Sequence, residues 1–249
     1  SAFSYHLFAQ NTIDEVLTGI EKNNTTLVAL RKSVDAEKIG NKTSIYLKNP
    51  EVEFNYLWGN PSMTGNRTDI SIRQTFDFPT AYGYRNQISD YRNEQVESEF
   101  QKQRKSILLQ ARLVCIDLIY TNALKSELSK RLVHSQSIAT SYRAKFEIGE
   151  TNILEFNRAQ LNLLSLSKEL EIIELDRNGL LAELARMNGG TPVEFNDHEF
   201  QPPAIPDDFE QWYIQAEQNN PVLQWLRQEI DLRRKQEKLN AALSLPKFQ

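Results

Sequence analysis

The side chains that most often do chemistry are few here and scattered. His6, His134 and His198 are the three histidines, and they form no Cys/His cluster of the kind that holds a metal. His134 sits among Ser and Gln on a helical stretch and reads as a surface residue. Cys115 is the single cysteine, inside the apolar run Leu113-Val114-Cys115-Ile116. No neighbouring group would lower its pKa, so a buried, inert thiol is expected rather than a nucleophile, and no disulfide can form within one chain. No glycine-rich phosphate loop and no Ser-His-Asp arrangement is present. The 33 carboxylates are spread along helical patterns, which is how a solvated face looks. The sequence therefore predicts no catalytic residue, no cofactor site and no metal site, and points away from an enzyme. A net charge of −4 and a pI near 5.6 also argue against a nucleic-acid footprint, which is basic.

The elements themselves carry more information than any reactive group. With 40% apolar and 25% charged residues, a packed core is expected. No uninterrupted run of 18 apolar residues occurs, which predicts no membrane-spanning helix; a spanning strand would escape that test, because its signal is alternation. Residues 1–10 resemble the tail of a secretory leader, with Ala9 at a plausible cleavage position and Ser1-Ala2 as a cloning remnant. Ile13, Val16, Leu17 and Ile20, then Leu27, Leu30 and Val34, keep a helical spacing from 13 to 38, interrupted at Asn23-Asn24-Thr25.

The period changes between 50 and 79. Val52, Phe54, Tyr56 and Trp58 alternate with Glu51, Glu53, Asn55 and Leu57. After the turn-rich stretch 59–66, Ile70, Ile72, Phe76 and Phe78 alternate with Asp69, Ser71, Arg73, Thr75 and Asp77. The pattern predicts a β-hairpin of two strands of roughly 9–11 residues, long enough to cross a bilayer.

From Gln87 to Glu147 the sequence has neither Pro nor Gly and reads as one helix. About 60 residues at 1.5 Å each give roughly 90 Å, which is coiled-coil or tunnel material. Gly149 breaks it, Thr151 is placed to cap the next helix, and that helix runs to about Met187 before Gly189-Gly190. The two must fold back as a long antiparallel hairpin spanning 87–188. Residues 189–208 hold four prolines (Pro192, Pro202, Pro203, Pro206) and read as a connector.

An internal repeat binds these elements together. Asn23-Asn24-Thr25-Thr26-Leu27 returns as Asn219-Asn220-Pro221-Val222-Leu223, and Leu30-Arg31-Lys32-Ser33-Val34-Asp35 as Leu226-Arg227-Gln228-Glu229-Ile230-Asp231. Pro50 matches Pro246 in the same register, a constant separation of 196 residues with no gap. A separation this long signals duplication of a whole supersecondary unit, since solenoid repeats are far shorter. The sequence thus divides into a first repeat, 11–188, the connector, and the start of a second repeat, 209–249. A complete chain is expected to continue for roughly another 150 residues, by the length of the first copy.

The order of these features resembles the TolC family of outer-membrane efflux proteins. It comprises Asn-Asn-Pro-x-Leu near a repeat start, a hairpin, a very long helix, and the turn Phe146-Glu147-Ile148-Gly149-Glu150 leading into Ala159-Gln160. The resemblance implies a mainly α fold with a long helical hairpin as a tunnel segment, one transmembrane-type β-hairpin and an incomplete second repeat. It implies a homotrimer with a barrel in the outer membrane and helices in the periplasm, working with a periplasmic adaptor protein and an inner-membrane transporter. The lipid-facing row would be Val52, Phe54, Tyr56, Trp58, Ile70, Ile72, Phe76 and Phe78. The adaptor-contacting tip would be Ile148, Gly149 and Glu150, where Glu150 departs from the family's aliphatic pattern. The function implied is a passive export duct of an efflux or type I secretion system. Two other classes fit some of the pattern: a periplasmic adaptor, which should carry β-halves on both sides of its helical hairpin, and a soluble coiled-coil scaffold, which should lack a membrane-facing strand surface. The exported cargo is not legible.

Overall fold

A computed structural model describes residues 8–59, 65–200 and 208–246. Residues 1–7 of the leader-like segment, the loop tip 60–64 and the prolines at 202, 203 and 206 lie outside the described residues. The order is α1 (Phe8–Asn23), α2 (Thr25–Lys42), a 3₁₀ turn (Thr43–Ile45), β1 (Glu51–Leu57), β2 (Arg67–Arg73), α3 (Pro79–Glu147), α4 (Ile153–Met187), α5 (Phe209–Gln218) and α6 (Pro221–Leu243). Helix α1 therefore starts within the stretch read as a leader. The chain forms two compact units: residues 1–28 with 104–207, and residues 29–103 with 208–249.

In the first unit, α4 runs antiparallel to the second part of α3. Each step forward on α3 is matched by a step back on α4, from Gln110–Glu183 through Lys125–Glu174 to Ser135–Asn162. Helix α1 lies antiparallel to α3 as well, tied by Glu21–Arg104 at 2.7 Å and Asp14–Arg112 at 3.1 Å. Between the three helices Leu17, Ile20, Ala111, Val114, Cys115, Leu118, Leu184 and Met187 form the core, closed by Phe195. The apolar spacing on α1 predicts this burial.

One expectation needs correcting. An 18-residue window of α3 is apolar enough, by length and composition, to cross a membrane, although no unbroken apolar run exists. Arg112 and Asp117 interrupt that part of the helix, and Val114, Cys115, Leu118 and Ile119 within it are buried core residues. Packing in the unit accounts for the third of the window that is buried; Leu109, Leu113 and Tyr120 in the same stretch are exposed.

The link between α1 and α2 is specific. Asn24 accepts from the Leu27 amide at 3.0 Å, capping α2, and its own amide donates to the Met187 carbonyl at 2.8 Å, satisfying an end of α4. Asn23 donates to Asn188 at 3.0 Å. The connector is held in turn by Asn122, which donates to the Asp197 carbonyl at 2.9 Å, and by Arg177, which donates to Asn122 at 2.6 Å and to the Phe195 carbonyl at 3.2 Å.

In the second unit, α2 packs against the first part of α3. Arg31 and Lys38 both reach Glu97, at 2.9 and 2.8 Å, and the Arg31 guanidinium lies 3.9 Å over the Phe100 ring. These two cations hold the Glu97 carboxyl down at about 2, against its ordinary 4.5. Helix α6 meets the same helix through Gln95–Glu229 at 2.7 Å and Ser98–Gln228 at 3.1 Å. Helix α3 starts at Pro79, earlier than the expected Gln87 and through Gly83. Proline suits a first helical position, where its missing N–H has no partner to lose.

Candidate functional site

Two places match the residues singled out by the sequence, and each lies in its own unit. The first is the β-hairpin. Strands β1 and β2 pair antiparallel with Val52 opposite Ile72, Phe54 opposite Ile70 and Tyr56 opposite Thr68. Residues directly opposite share a face, so Val52, Phe54, Tyr56, Ile70 and Ile72 form one row. The alternate pairs Glu51–Arg73, Glu53–Ser71 and Asn55–Asp69 form the other, with Leu57 as its apolar exception. The Trp58 ring stands edge-on to Tyr56 at 4.8 Å, continuing the apolar row. This row is exposed: Phe54 at 64%, Ile72 at 73%, Trp58 at 79%.

The strands are shorter than the sequence predicts. Each has seven residues, not 9–11, and Phe76 and Phe78 fall outside β2. The next pair after Glu51–Arg73 would need Pro50, which has no N–H to give the ladder. Phe76 keeps only an isolated bridge, and Phe78 is half-buried. Asp77, expected on the wet face, is instead buried and ion-paired with Arg85 of α3, while its amide donates to the Tyr82 hydroxyl at 3.2 Å. Of the eight residues in the expected lipid-facing row, six stand on the strands or directly beyond β1, and the last two belong to the strand-to-helix junction.

The second place is the turn between α3 and α4. Gly149 has φ +79°. The Gly149 amide donates to the Phe146 carbonyl at 3.1 Å and the Glu150 amide to the Lys145 carbonyl at 2.8 Å. This paired pattern is a Schellman closure, whose left-handed residue favours glycine. Helix α4 is capped by Asn152, accepting from the Glu155 amide at 2.9 Å, and not by Thr151. The closure uses Glu150 and Thr151 to turn the chain, so the cap falls one residue later; Asn followed three residues on by Glu is the signal that marks it. Phe146 and Phe156 stack at 5.3 Å and 9° across the start of the hairpin, a contact the sequence reading missed. Beyond that stack Ile148 is 70% exposed, and Ile153, Leu154 and Glu150 are exposed beside it. The tip is therefore an apolar cap with no cover of its own.

Neither place holds a reactive group. Cys115 is fully buried, and burial pushes its thiol up to about 12. Among the described residues no three His, Cys, Asp or Glu side chains converge on a point that could hold a metal. Further exposed apolar residues run along the helical hairpin: Leu109, Leu113 and Tyr120 on α3, and Leu161, Leu164, Ile172 and Leu175 on α4.

No protein-family model matches this sequence, and no curated protein sequence does. Solved structures do match. The outer membrane protein VceC of Vibrio cholerae superposes with a TM-score of 0.74 at 11% identity, over 95% of this chain and 60% of its own. CusC gives 0.70 at 12%, over 90% and 55%. The Campylobacter jejuni outer membrane channel CmeC gives 0.62 at 14%, over 87% and 51%. The chain thus spans a little over half the length of the structures it matches. Its fold is TolC-like: mainly helical, with a long antiparallel helical hairpin and one β-hairpin.

Proposed function

We propose that this chain is part of the outer-membrane channel component of a tripartite efflux or type I secretion system. Such a component is a passive duct from periplasm to exterior, with no chemistry of its own. The observation that carries this reading is the β-hairpin. One face is an exposed row of Val52, Phe54, Tyr56, Trp58, Ile70 and Ile72; the other is charged and polar. Bare in water that row is costly, whereas against lipid it is at home and the polar row suits a wet lumen. The likeness to the outer membrane channel CmeC and to CusC supports the same reading.

In this reading the protein works as a homotrimer. The exposed apolar residues along α3 and α4 meet neighbouring protomers, the helices stand in the periplasm, and Ile148, Gly149 and Glu150 meet a periplasmic adaptor that links to an inner-membrane transporter. The chain would itself be the adaptor only if β-structure flanked the helical hairpin on both sides. Here both strands precede α3, and the elements described after α4 are the helices α5 and α6. A soluble scaffold would have no use for an uncovered apolar strand row.

The test is fractionation of the full-length gene product. It is expected in the outer-membrane fraction, extracted only by detergent, and trimeric by cross-linking. Recovery as a detergent-free periplasmic monomer would overturn the reading.

A further inference from the structure

Helices α2 and α6 both pack on the first part of α3, α2 through Glu97 and α6 through Gln95 and Ser98. Between them lies an open cavity of about 400 Å³, wholly within the second unit. That volume is ordinary for a small-molecule site. The buried Val34 and Phe100, with Leu30 and Val96, give it an apolar lining. Trp225 of α6 stands at its side, 36% exposed and one helical turn before Glu229, which Gln95 holds at 2.7 Å. Most of the charges nearby are already matched. Arg31 and Lys38 are committed to Glu97, and Glu99 accepts from Gln103 and Lys102 at 3.0 and 3.3 Å. Two that line the cavity are not. Among the described residues, Glu37 of α2 and Arg92 of α3 make no ion pair or hydrogen bond, with each other or with any neighbour. Asn41 donates to Asn93 at 3.0 Å and sets the level of the two helices. Glu37 lies one turn from Asn41, and Arg92 adjoins Asn93, so the two charges stand roughly 7–8 Å apart along the groove by helix rise.

We infer that this cavity binds a small zwitterion with an apolar body, in class an amino acid or a very short peptide. Its ammonium group meets Glu37, its carboxylate meets Arg92, and its side chain lies on Trp225 and the apolar lining. The forked guanidinium suits a carboxylate, which can accept two parallel hydrogen bonds. The indole face suits an aromatic or aliphatic body. A ligand with one charge leaves the opposite residue without a partner, so the pair of free charges selects for a molecule that carries both. A cavity of this volume takes an amino acid or a dipeptide and not the acyl chains of a lipid. The inference stands on the second unit alone and is independent of the membrane location proposed above.

The test is isothermal titration of the purified full-length gene product with three probes that share one ring system. Tryptophan carries both charges at neutral pH, tryptamine only the ammonium, and indole-3-propionate only the carboxylate. Tryptophan is expected to bind about five-fold tighter, or more, than either of the others. Glu37→Gln is expected to weaken tryptophan and tryptamine by about five-fold and to leave indole-3-propionate unchanged. Arg92→Gln is expected to weaken tryptophan and indole-3-propionate by a similar factor and to spare tryptamine. Trp225→Leu should weaken all three alike, and Asp35→Asn, at an exposed position of α2 outside the lining, should change none. The selective losses separate contact from damage to the fold, since a misfolded variant loses every probe together. Absence of tryptophan binding overturns the inference. Equal binding of the three probes overturns it in favour of an unselective apolar groove. Charge variants that weaken all three probes alike, or none, overturn it as well.

Discussion

Two glycines show how far a single residue can matter here. Gly149 needs its positive φ, but a β-carbon there would meet nothing within 4 Å. Gly189 also has a positive φ of 67°, and a β-carbon there would lie 2.4 Å from the Asn23 carbonyl oxygen. Gly149→Ala should therefore cost only the conformational penalty, about 1–2 kcal/mol, whereas Gly189→Ala should cost distinctly more, because α1 must move away from the end of α4. Thermal melts of the two variants decide it, and equal losses would contradict the close approach. Glu97 offers a second test. Its folded pKa of about 2 lies below the ordinary 4.5, so its stabilising effect is complete above about pH 4.5 and is lost as pH falls toward 2. Glu97→Gln should lower stability at neutral pH and flatten the acid limb between those values, as read by denaturation midpoints across pH.

At the scale of elements, caps and strand faces make separate predictions. Asn24 both caps α2 and supports the end of α4, while Asn220 caps α6 and is exposed. Asn220→Ala should cost a cap, about 0.5–2 kcal/mol. Asn24→Ala should cost more, because the buried Met187 carbonyl also loses its donor. Urea denaturation followed by helical signal separates the two. In the full-length protein, Phe54→Arg should cost on the order of 2–4 kcal/mol of membrane assembly, for a charge near the bilayer midplane. Asn55→Arg, on the polar row, should leave assembly nearly intact. Outer-membrane yield of the two variants is the measurement, and equal losses would contradict the register as a lipid boundary.

For the whole molecule the proposed adaptor contact is tested at the tip. Ile148 is exposed beyond the Phe146–Phe156 stack, so it adds little to the core of its own chain. Ile148→Asp in the full-length protein should weaken adaptor pull-down and export while leaving expression, outer-membrane recovery and trimer formation unchanged. Loss of the trimer would make the residue structural; unchanged adaptor binding would make the tip a turn and nothing more.

Periodicity carried most of the fold in the sequence itself. The apolar spacing of Ile13, Val16, Leu17 and Ile20 predicts the face that α1 buries. The alternation of Val52, Phe54 and Tyr56 with Glu51, Glu53 and Asn55 predicts the two rows of the hairpin. These are local properties, set by the 3.6-residue turn of a helix and the two-residue pleat of a strand. What depends on groups meeting outside one element's own period, whether near in the chain or far along it, was not read from that periodicity. The ladder stops at Glu51 and Arg73 because Pro50 sits opposite Gln74. Asp77 leaves the wet face because Arg85 and Tyr82 of α3 hold it. The cap of α4 moves from Thr151 to Asn152 because the Schellman closure of α3 uses the residues between. Asn24 gains its second role only when the end of α4, more than 160 residues later, arrives beside it. Pairings of that kind depend on which groups meet, and only the tertiary structure decides that.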